Sequence, residues 1–256
     1  IFSKKNHFLK FKLLILFLLL TKASSAQRFN DNEMWLWIQG NKGITKKLSI
    51  GLQYQMRLDN NLSTFKWSYY YLNLDYKLTS KINSQFVYQF GDSYSKYLHS
   101  FFFALSTRKK IKKFAIGYRT AFQHEQNSML YQYQREMKSE PVNEWRNRIT
   151  CKYILNSKSK VYIFSEPYID FETAGVRVSK IRNSIGFEYE FFKNHFINPF
   201  FLYQPDVDVM GQPSIEKVLG ITYEFDFPYK KHKHKKHKNE YEDAGDDKKE
   251  STDIFQ

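Results

Sequence analysis

The stretch LSIGLQYQMRL, residues 48–58, alternates without a break between apolar and other side chains. Every even position is apolar, and every odd position is polar or glycine. Successive side chains of a β-strand point to opposite faces, whereas the apolar face of a helix repeats every three or four residues. The stretch therefore predicts a strand with one apolar face and one polar face.

The same alternation recurs along the chain, and no segment between the repeats reads as a long helix. Strong repeats begin near residues 70, 86, 114, 145, 181 and 219, and weaker ones fit 35–39, 97–106, 161–169 and 196–204. An open sheet of about eleven strands would expose edges that aggregate, so we expect a closed barrel.

The predicted fold is all-β: a single antiparallel transmembrane β-barrel of 10 to 12 strands. Bacterial single-chain barrels have even strand counts, so we expect either a ten-strand barrel with the first strand partly inside it or a twelfth strand near residues 131–133. Short connections (79–83, 107–113, 156–160, 193–195) alternate with longer ones (59–66, 124–143, 170–178, 205–214). Short turns on one side and long loops on the other are typical of outer-membrane barrels.

The residues of the polar face decide which side of the sheet lines the interior. Glycines at 51, 117, 186 and 220 weaken a solvated strand face, but in a narrow lumen they leave room for a neighbouring charged side chain. We therefore expect the polar face inside and the apolar face against lipid. Alternation alone also fits a soluble barrel with an apolar interior, which remains the alternative.

Two sets of residues follow from that orientation. The predicted lumen charge network comprises Arg57, Arg119, Arg146, Arg148, Arg182, Glu166, Glu188, Glu190 and Glu224. We expect the arginines to pair with Glu166, Glu188 and Glu190, because a lone charge in a narrow lumen costs several kcal/mol. The predicted membrane-interface aromatics are Trp35, Trp37, Tyr54, Tyr189, Tyr203 and Tyr223.

The two ends of the chain read as separate segments. Residues 1–26 combine lysines, the apolar run 13–20 and the small residues 24–26, which predicts a signal peptide. The barrel is expected over 27–228 and a disordered tail over 229–256, where a Lys/His run precedes an Asp/Glu run. His232, His234 and His237 are weak metal candidates, because the neighbouring lysines repel a cation.

Composition limits the remaining classes of function. The formal net charge is +14, but five lysines belong to the leader, so we expect no nucleic-acid partner. The single cysteine, Cys151, excludes an internal disulfide, and its apolar register favours a buried thiol over a nucleophile.

Motifs for catalysis are absent, and we predict no enzyme activity and no cofactor. GDS at 91–93 resembles the nucleophile block of a lipase, but the partner Asp-x-x-His block is missing. His99 beside Ser100 and the separate His124 are the remaining candidates for an outer-membrane lipid hydrolase, which we keep as an alternative function.

The last strand, with Gly220, Tyr223, Phe225 and Phe227, resembles the aromatic closing strand of outer-membrane barrels. Further motifs are WLW (35–37), KKLSI (46–50), EWRNR (144–148), SEP (165–167) and KIRNSIGFEY (180–189). Together with the closing strand they resemble the bacterial outer-membrane barrel family catalogued as domain of unknown function 2490, common in Bacteroidetes-type secreted proteomes, over about 35–227.

The resemblance implies a location and a fold without a reaction. We expect an exported outer-membrane β-barrel that is either structural or a narrow pore with a charged lumen. Its partners would be outer-membrane lipid and, during biogenesis, the barrel-assembly machinery. The alternative is a soluble periplasmic ligand-binding barrel. The sequence does not determine the oligomeric state.

Overall fold

The computed structural model describes residues 29–94, 96–130, 136–138, 141–172, 175–206 and 214–229. Within these residues, no helix is long and apolar enough to cross a membrane. The predicted signal peptide and most of the predicted tail lie outside the described residues.

Twelve strands make up the described part of the chain. In chain order they are β1 (Phe29–Gly43), β2 (Leu48–Asp59), β3 (Thr64–Lys77), β4 (Ile82–Asp92), β5 (Lys96–Ile111), β6 (Phe114–Leu130), β7 (Glu136–Lys138), β8 (Val142–Ile154), β9 (Ser159–Glu172), β10 (Gly175–Phe192), β11 (His195–Asp206) and β12 (Ser214–Phe227).

The strands form one closed barrel, which confirms the predicted fold. The sheet runs β5-β4-β3-β2-β1-β12-β11-β10-β9-β8-β6, and pairing of β5 with β6 closes it. The three-residue β7 only extends the end of β6, so eleven of the described strands build the wall. The expected residues 131–133 lie outside the described part.

The expectation of an even, fully antiparallel barrel is wrong at one seam. β1 pairs with β12 in parallel, from Phe29 opposite Ser214 to Lys42 opposite Phe227. Both strands run towards the end that carries the short turns, so an odd number of strands can close. The other barrel pairings are antiparallel.

The side chains are distributed inside out relative to a soluble globular protein. Leu52 and Ile149, on the apolar face, are 66% and 60% exposed, whereas Gln55 and Glu166 are fully buried. The polar face therefore points into the barrel and the apolar face points outwards. This orientation is the opposite of a soluble barrel that holds a ligand in an apolar interior.

Rings fill the space that two of the interior glycines leave. A Cβ added to Gly186 would lie 2.3 Å from Cζ of Tyr162, and one added to Gly220 would lie 2.0 Å from Cζ of Phe200. Each glycine is directly opposite its ring in the neighbouring strand. The sequence predicts charged side chains above these glycines, and aromatic packing against the backbone corrects that prediction.

Candidate functional site

The barrel encloses a cavity of about 570 Å³. Side chains from strands around the whole wall line it, and they are mainly arginine, lysine, glutamine, glutamate and aromatic residues. This polar cavity is therefore the candidate functional site.

Five arginines, which we call the arginine belt, line this cavity: Arg57, Arg119, Arg146, Arg148 and Arg182. They come from β2, β6, β8 and β10, and each occupies an inward position of the alternating pattern. Side chains on alternate residues of a strand share one face, so the strand period itself brings these cations into the lumen. These are the five arginines predicted from the sequence.

Aromatic rings link the members of the belt across the lumen. The contacts run from Arg57 through Trp35 to Arg182, then through Tyr168 to Arg146, and through Phe102 to Arg119. The distances from Cζ to ring centroid along this path are 3.9, 5.4, 4.9, 4.4, 4.9 and 4.7 Å. Such cation–π contacts stabilise a guanidinium without neutralising its charge. The belt is thus held largely by uncharged rings.

One carboxylate, that of Glu166, binds three members of the belt. Arg146 donates to its two oxygens at 3.2 and 3.1 Å, and Arg148 donates at 2.8 Å. The Nη2 atom of Arg119 lies 3.8 Å from it. Glu166 is fully buried, so these guanidiniums replace the water that a buried carboxylate would otherwise need.

Neutral amides accept hydrogen bonds from three further donors of the belt. Arg57 donates to Oε1 of Gln55 at 3.2 Å, and Arg146 donates to Oε1 of Gln123 at 2.9 Å. The Nε atom of Arg182 donates to Oε1 of Gln204. An amide oxygen fixes the position of a guanidinium but carries no counter-charge. The belt therefore keeps more positive charge than Glu166 can balance.

The other predicted acids of the network do not contact the arginines. Glu188 binds Lys152 at 2.9 Å and Lys160 at 2.7 Å. Glu190 accepts the backbone N–H of Asn194 at 3.0 Å, within the turn between β10 and β11. The predicted pairing of arginines with Glu188 and Glu190 is therefore wrong, because these acids lie nearer the short-turn end, where lysines and a turn amide are closer.

Glu224, the remaining predicted acid, also lies towards the short turns. Its carboxylate accepts from Nδ2 of Asn41 at 2.8 Å, and the same amide reaches Asp226 at 2.9 Å. At the opposite end, Lys66 bridges Glu33 and Glu216, and Lys180 lies 3.0 Å from Glu144. Lysines thus pair with acids towards both ends, whereas the arginines concentrate between them.

The structure corrects two of the predicted interface aromatics. Trp35 is 2% exposed, lies under Arg57 and donates from Nε1 to Glu33 at 2.7 Å. Trp37 also lines the cavity and stacks on Tyr71. The outward residues of β1 have even numbers, such as Ile38, so the odd-numbered tryptophans must point inwards.

The four predicted tyrosines share the outward face of the sheet. Tyr54 contacts the ring of Tyr70 and lies near the middle of β2. Tyr189, Tyr203 and Tyr223 lie within a few residues of the ends of β10, β11 and β12. The hydroxyl of Tyr223 and Nδ1 of His195 are 2.8 Å apart. In the last strand, Phe225 and Phe227 share this outward register, and Gly220 faces inwards.

The enzyme candidates are not assembled into a catalytic site. His99 is exposed outside the barrel and contacts Tyr88, whereas the neighbouring Ser100 is buried inside. His124 lies 2.8 Å from Oδ1 of Asn143 on the outer face, but its outward neighbours along β6 are Phe122 and Gln126, which are not nucleophiles.

The remaining reactive residues also stand apart. Cys151 is half-buried and lies opposite Ile116 and Ile163 on the outer face. No group of three or more His, Cys, Asp and Glu side chains in the described ranges is arranged to hold a metal ion. The candidates His232, His234 and His237 lie outside those ranges.

Sequence reasoning missed the neutral partners of the belt. Phe102, Tyr168, Gln55, Gln123 and Gln204 all occupy inward positions, but only their register in the barrel brings them next to arginines. The available signal was the strand period, which places each of them on the polar face together with the charged residues.

The fold and the lumen define a closed β-barrel with a polar, arginine-rich interior and an apolar exterior. Residues 32–208 match the family described as protein of unknown function (DUF2490), and the chain belongs to that family. This confirms the resemblance found in the sequence, although the matched range ends before β12.

Two further comparisons concern individual proteins. A solved structure titled "NanC porin structure in rhombohedral crystal form" is similar to this chain, with 12% sequence identity and a TM-score of 0.43. The similarity covers 75% of this chain and 95% of that one. No curated protein sequence matches the chain.

Proposed function

We propose that the protein is an outer-membrane β-barrel that forms a narrow pore with a charged lumen. The observation that carries this proposal is the combination of an apolar outer face with a polar interior that still contains a cavity of about 570 Å³. In water the exposed apolar face would be unfavourable, whereas in lipid it is the stable arrangement.

The length of the strands fits a bilayer. The strands of the wall contain 11 to 18 residues. With a rise of about 3.3 Å per residue and a tilt of about 40°, even the shortest extends about 28 Å along the barrel axis. The hydrocarbon core of a bilayer is about 30 Å thick.

The free space inside favours a pore over a purely structural barrel. Barrels of about eight strands are narrow enough for side chains to fill the interior, and wider barrels leave room for a channel or ligand. Here the cavity extends from Trp67 and Lys96, near the long loops, to Lys152 and Glu224, near the short turns. A small polar solute could follow this lined route.

Export and assembly complete the proposal. The leader at residues 1–26 would direct the chain across the inner membrane, and the tail from residue 229 would remain in the periplasm. The outward rings Tyr223, Phe225 and Phe227 of β12 would present the terminal strand to the barrel-assembly machinery.

Fractionation of cells that express the full precursor tests the location. We expect the protein in the outer-membrane fraction, with a gel mobility that changes on boiling, as expected for a detergent-resistant barrel. Purified protein should then produce discrete ionic currents in a planar lipid bilayer. A chain that stays in solution without detergent would refute the membrane location. A folded, membrane-embedded barrel without conductance would refute the pore.

A further inference from the structure

We propose that the arginine belt is an oxyanion-binding constriction, which takes small solutes carrying a carboxylate or phosphate group. The proposal rests on the proposed pore, because it concerns which solutes enter that lumen. It names a substrate class that neither the fold nor the family provides.

The first argument is the balance of charge within the belt. The belt contains five guanidiniums. Among the described residues, one carboxylate, that of Glu166, forms ion pairs with three of them. Arg57 and Arg182 instead donate to the neutral amides of Gln55 and Gln204. A surplus of positive charge inside a low-dielectric wall attracts anions strongly.

The second argument is the balance of hydrogen-bond donors and acceptors. Each guanidinium carries five N–H donors, and one carboxylate offers about four acceptor sites. Accordingly, the buried Nε atoms of Arg57, Arg119 and Arg148 have no hydrogen-bond partner among the described residues. The described residues supply fewer acceptors than the belt has donors, and an oxyanion would supply several.

The third argument is the choice and orientation of the cations. All five are arginines, and two aromatic rings have their centroids 3.9 to 5.4 Å from the guanidinium carbon of each of Arg57, Arg146 and Arg182. Planar stacking restrains the guanidinium and leaves its edge for hydrogen bonds. That edge matches the two oxygens of a carboxylate or phosphate.

The fourth argument is the contrast with the ends of the cavity. The lysines there are paired with acids, as Lys152 and Lys160 are with Glu188 and Lys180 is with Glu144. Two lysines share Glu188 at one end, whereas Lys66 lies between Glu33 and Glu216 at the other, so these four lysines are matched by four carboxylates. The surplus is therefore localised at the belt, where a passing solute must meet it.

Quenching of tryptophan fluorescence tests the proposal without requiring conductance. Of the four tryptophans, Trp35, Trp37 and Trp67 line the cavity and Trp145 lies outside it. In a Trp145→Phe background, the detergent-solubilised full chain therefore reports from the lumen. We expect the iodide-to-caesium quenching ratio to be several-fold higher than that of N-acetyltryptophanamide in the same buffer, because the local potential concentrates anions.

Matched variants assign the effect to the belt. Arg182 and Arg57 form no ion pair with a carboxylate of the described residues, so Arg182→Gln and Arg57→Gln leave no described acid without its ion-pair partner. Both variants should lower the iodide-to-caesium ratio. Lys160→Gln removes an equal charge from the same lumen but outside the belt, and should leave the ratio nearly unchanged. Folding of every variant is checked by its heat-modifiable mobility. A ratio no higher than that of N-acetyltryptophanamide, or a ratio that responds only to Lys160→Gln, would overturn the proposal.

Competition identifies the class of anion. Inorganic phosphate should reduce iodide quenching more than chloride does at equal ionic strength, because phosphate can accept from two edges of the belt. Protection no greater than that by chloride would overturn the oxyanion assignment. In planar bilayers, a cation-selective current would refute the belt but retain the pore. Anion-dependent quenching without any current would retain the belt but refute the pore.

Discussion

Replacing Ile149 with arginine should distinguish a lipid-facing wall from a water-facing one. Ile149 lies near the middle of β8 and is 60% exposed on the outer face. At an exposed position of a soluble protein such a change alters the free energy of unfolding by roughly 0.5 kcal/mol at most. At the midplane of a bilayer an outward arginine costs about 2–4 kcal/mol.

Ile111→Arg provides the matched control. Ile111 is the last residue of β5, next to a short turn, and is 49% exposed. The residue exchange is identical and the exposure is similar, but the side chain lies near the expected interface, where the cost falls to about 0–1 kcal/mol. The two variants therefore differ mainly in depth.

The measurement is urea-induced unfolding of the full chain reconstituted in phospholipid vesicles, followed by tryptophan fluorescence. We expect Ile149→Arg to lose about 2–3 kcal/mol more than Ile111→Arg. Equal losses at the two positions would refute the inference that the outer face is embedded in lipid, since only a bilayer makes the cost depend on depth.

The remaining predictions concern the interior and the end of the chain. Gly186→Ala should cost about 1–3 kcal/mol, because its Cβ would collide with the ring of Tyr162, and a Gly186→Ala/Tyr162→Leu double variant should recover part of this loss in the same unfolding assay. Glu166→Gln should cost about 3–5 kcal/mol, because it leaves three buried guanidiniums without their carboxylate, and a loss below that of the less buried Glu188→Gln would contradict the geometry. Deletion of residues 230–256 should leave a heat-modifiable barrel, because β12 ends at Phe227 and Pro228 cannot donate to a ladder, and collapse of the truncated chain would show that the tail contributes to the fold.

The strand period made the wall and the orientation of its faces predictable from the sequence. It also placed Arg57, Arg119 and Arg182 on the inner face, because side-chain direction depends only on position along a strand. The partners of those arginines were not predictable. The partner of Arg182 is Gln204, on β11, and that contact depends on strand register and stagger, which the alternation does not encode.

The misplacement of Trp35 and Trp37 has a related cause. Two tryptophans at the start of a barrel fit an interfacial girdle by residue type, but this preference conflicts with their position in the strand. The odd-numbered side chains of β1 point into the barrel, so the two tryptophans lie inside together with Glu33, Gln39 and Asn41. The odd strand count, by contrast, follows from the connections, since the short turn after β1 and the end of β12 lie on the same side of the barrel. Only the even counts of other bacterial barrels argued against it.

Trp35 connects the closure of the barrel to the site inside it. Its indole packs with Val218 of β12 and Leu202 of β11 in a buried cluster, so it fixes the parallel seam at which the chain closes. The same ring lies 3.9 Å from Arg57 and 5.4 Å from Arg182, and thereby joins β2 and β10 across that seam. The belt can be continuous only when β1 has docked in register on β12. Closure of the wall and completion of the cationic constriction are therefore one structural event, and an error in the register of β1 would disrupt both.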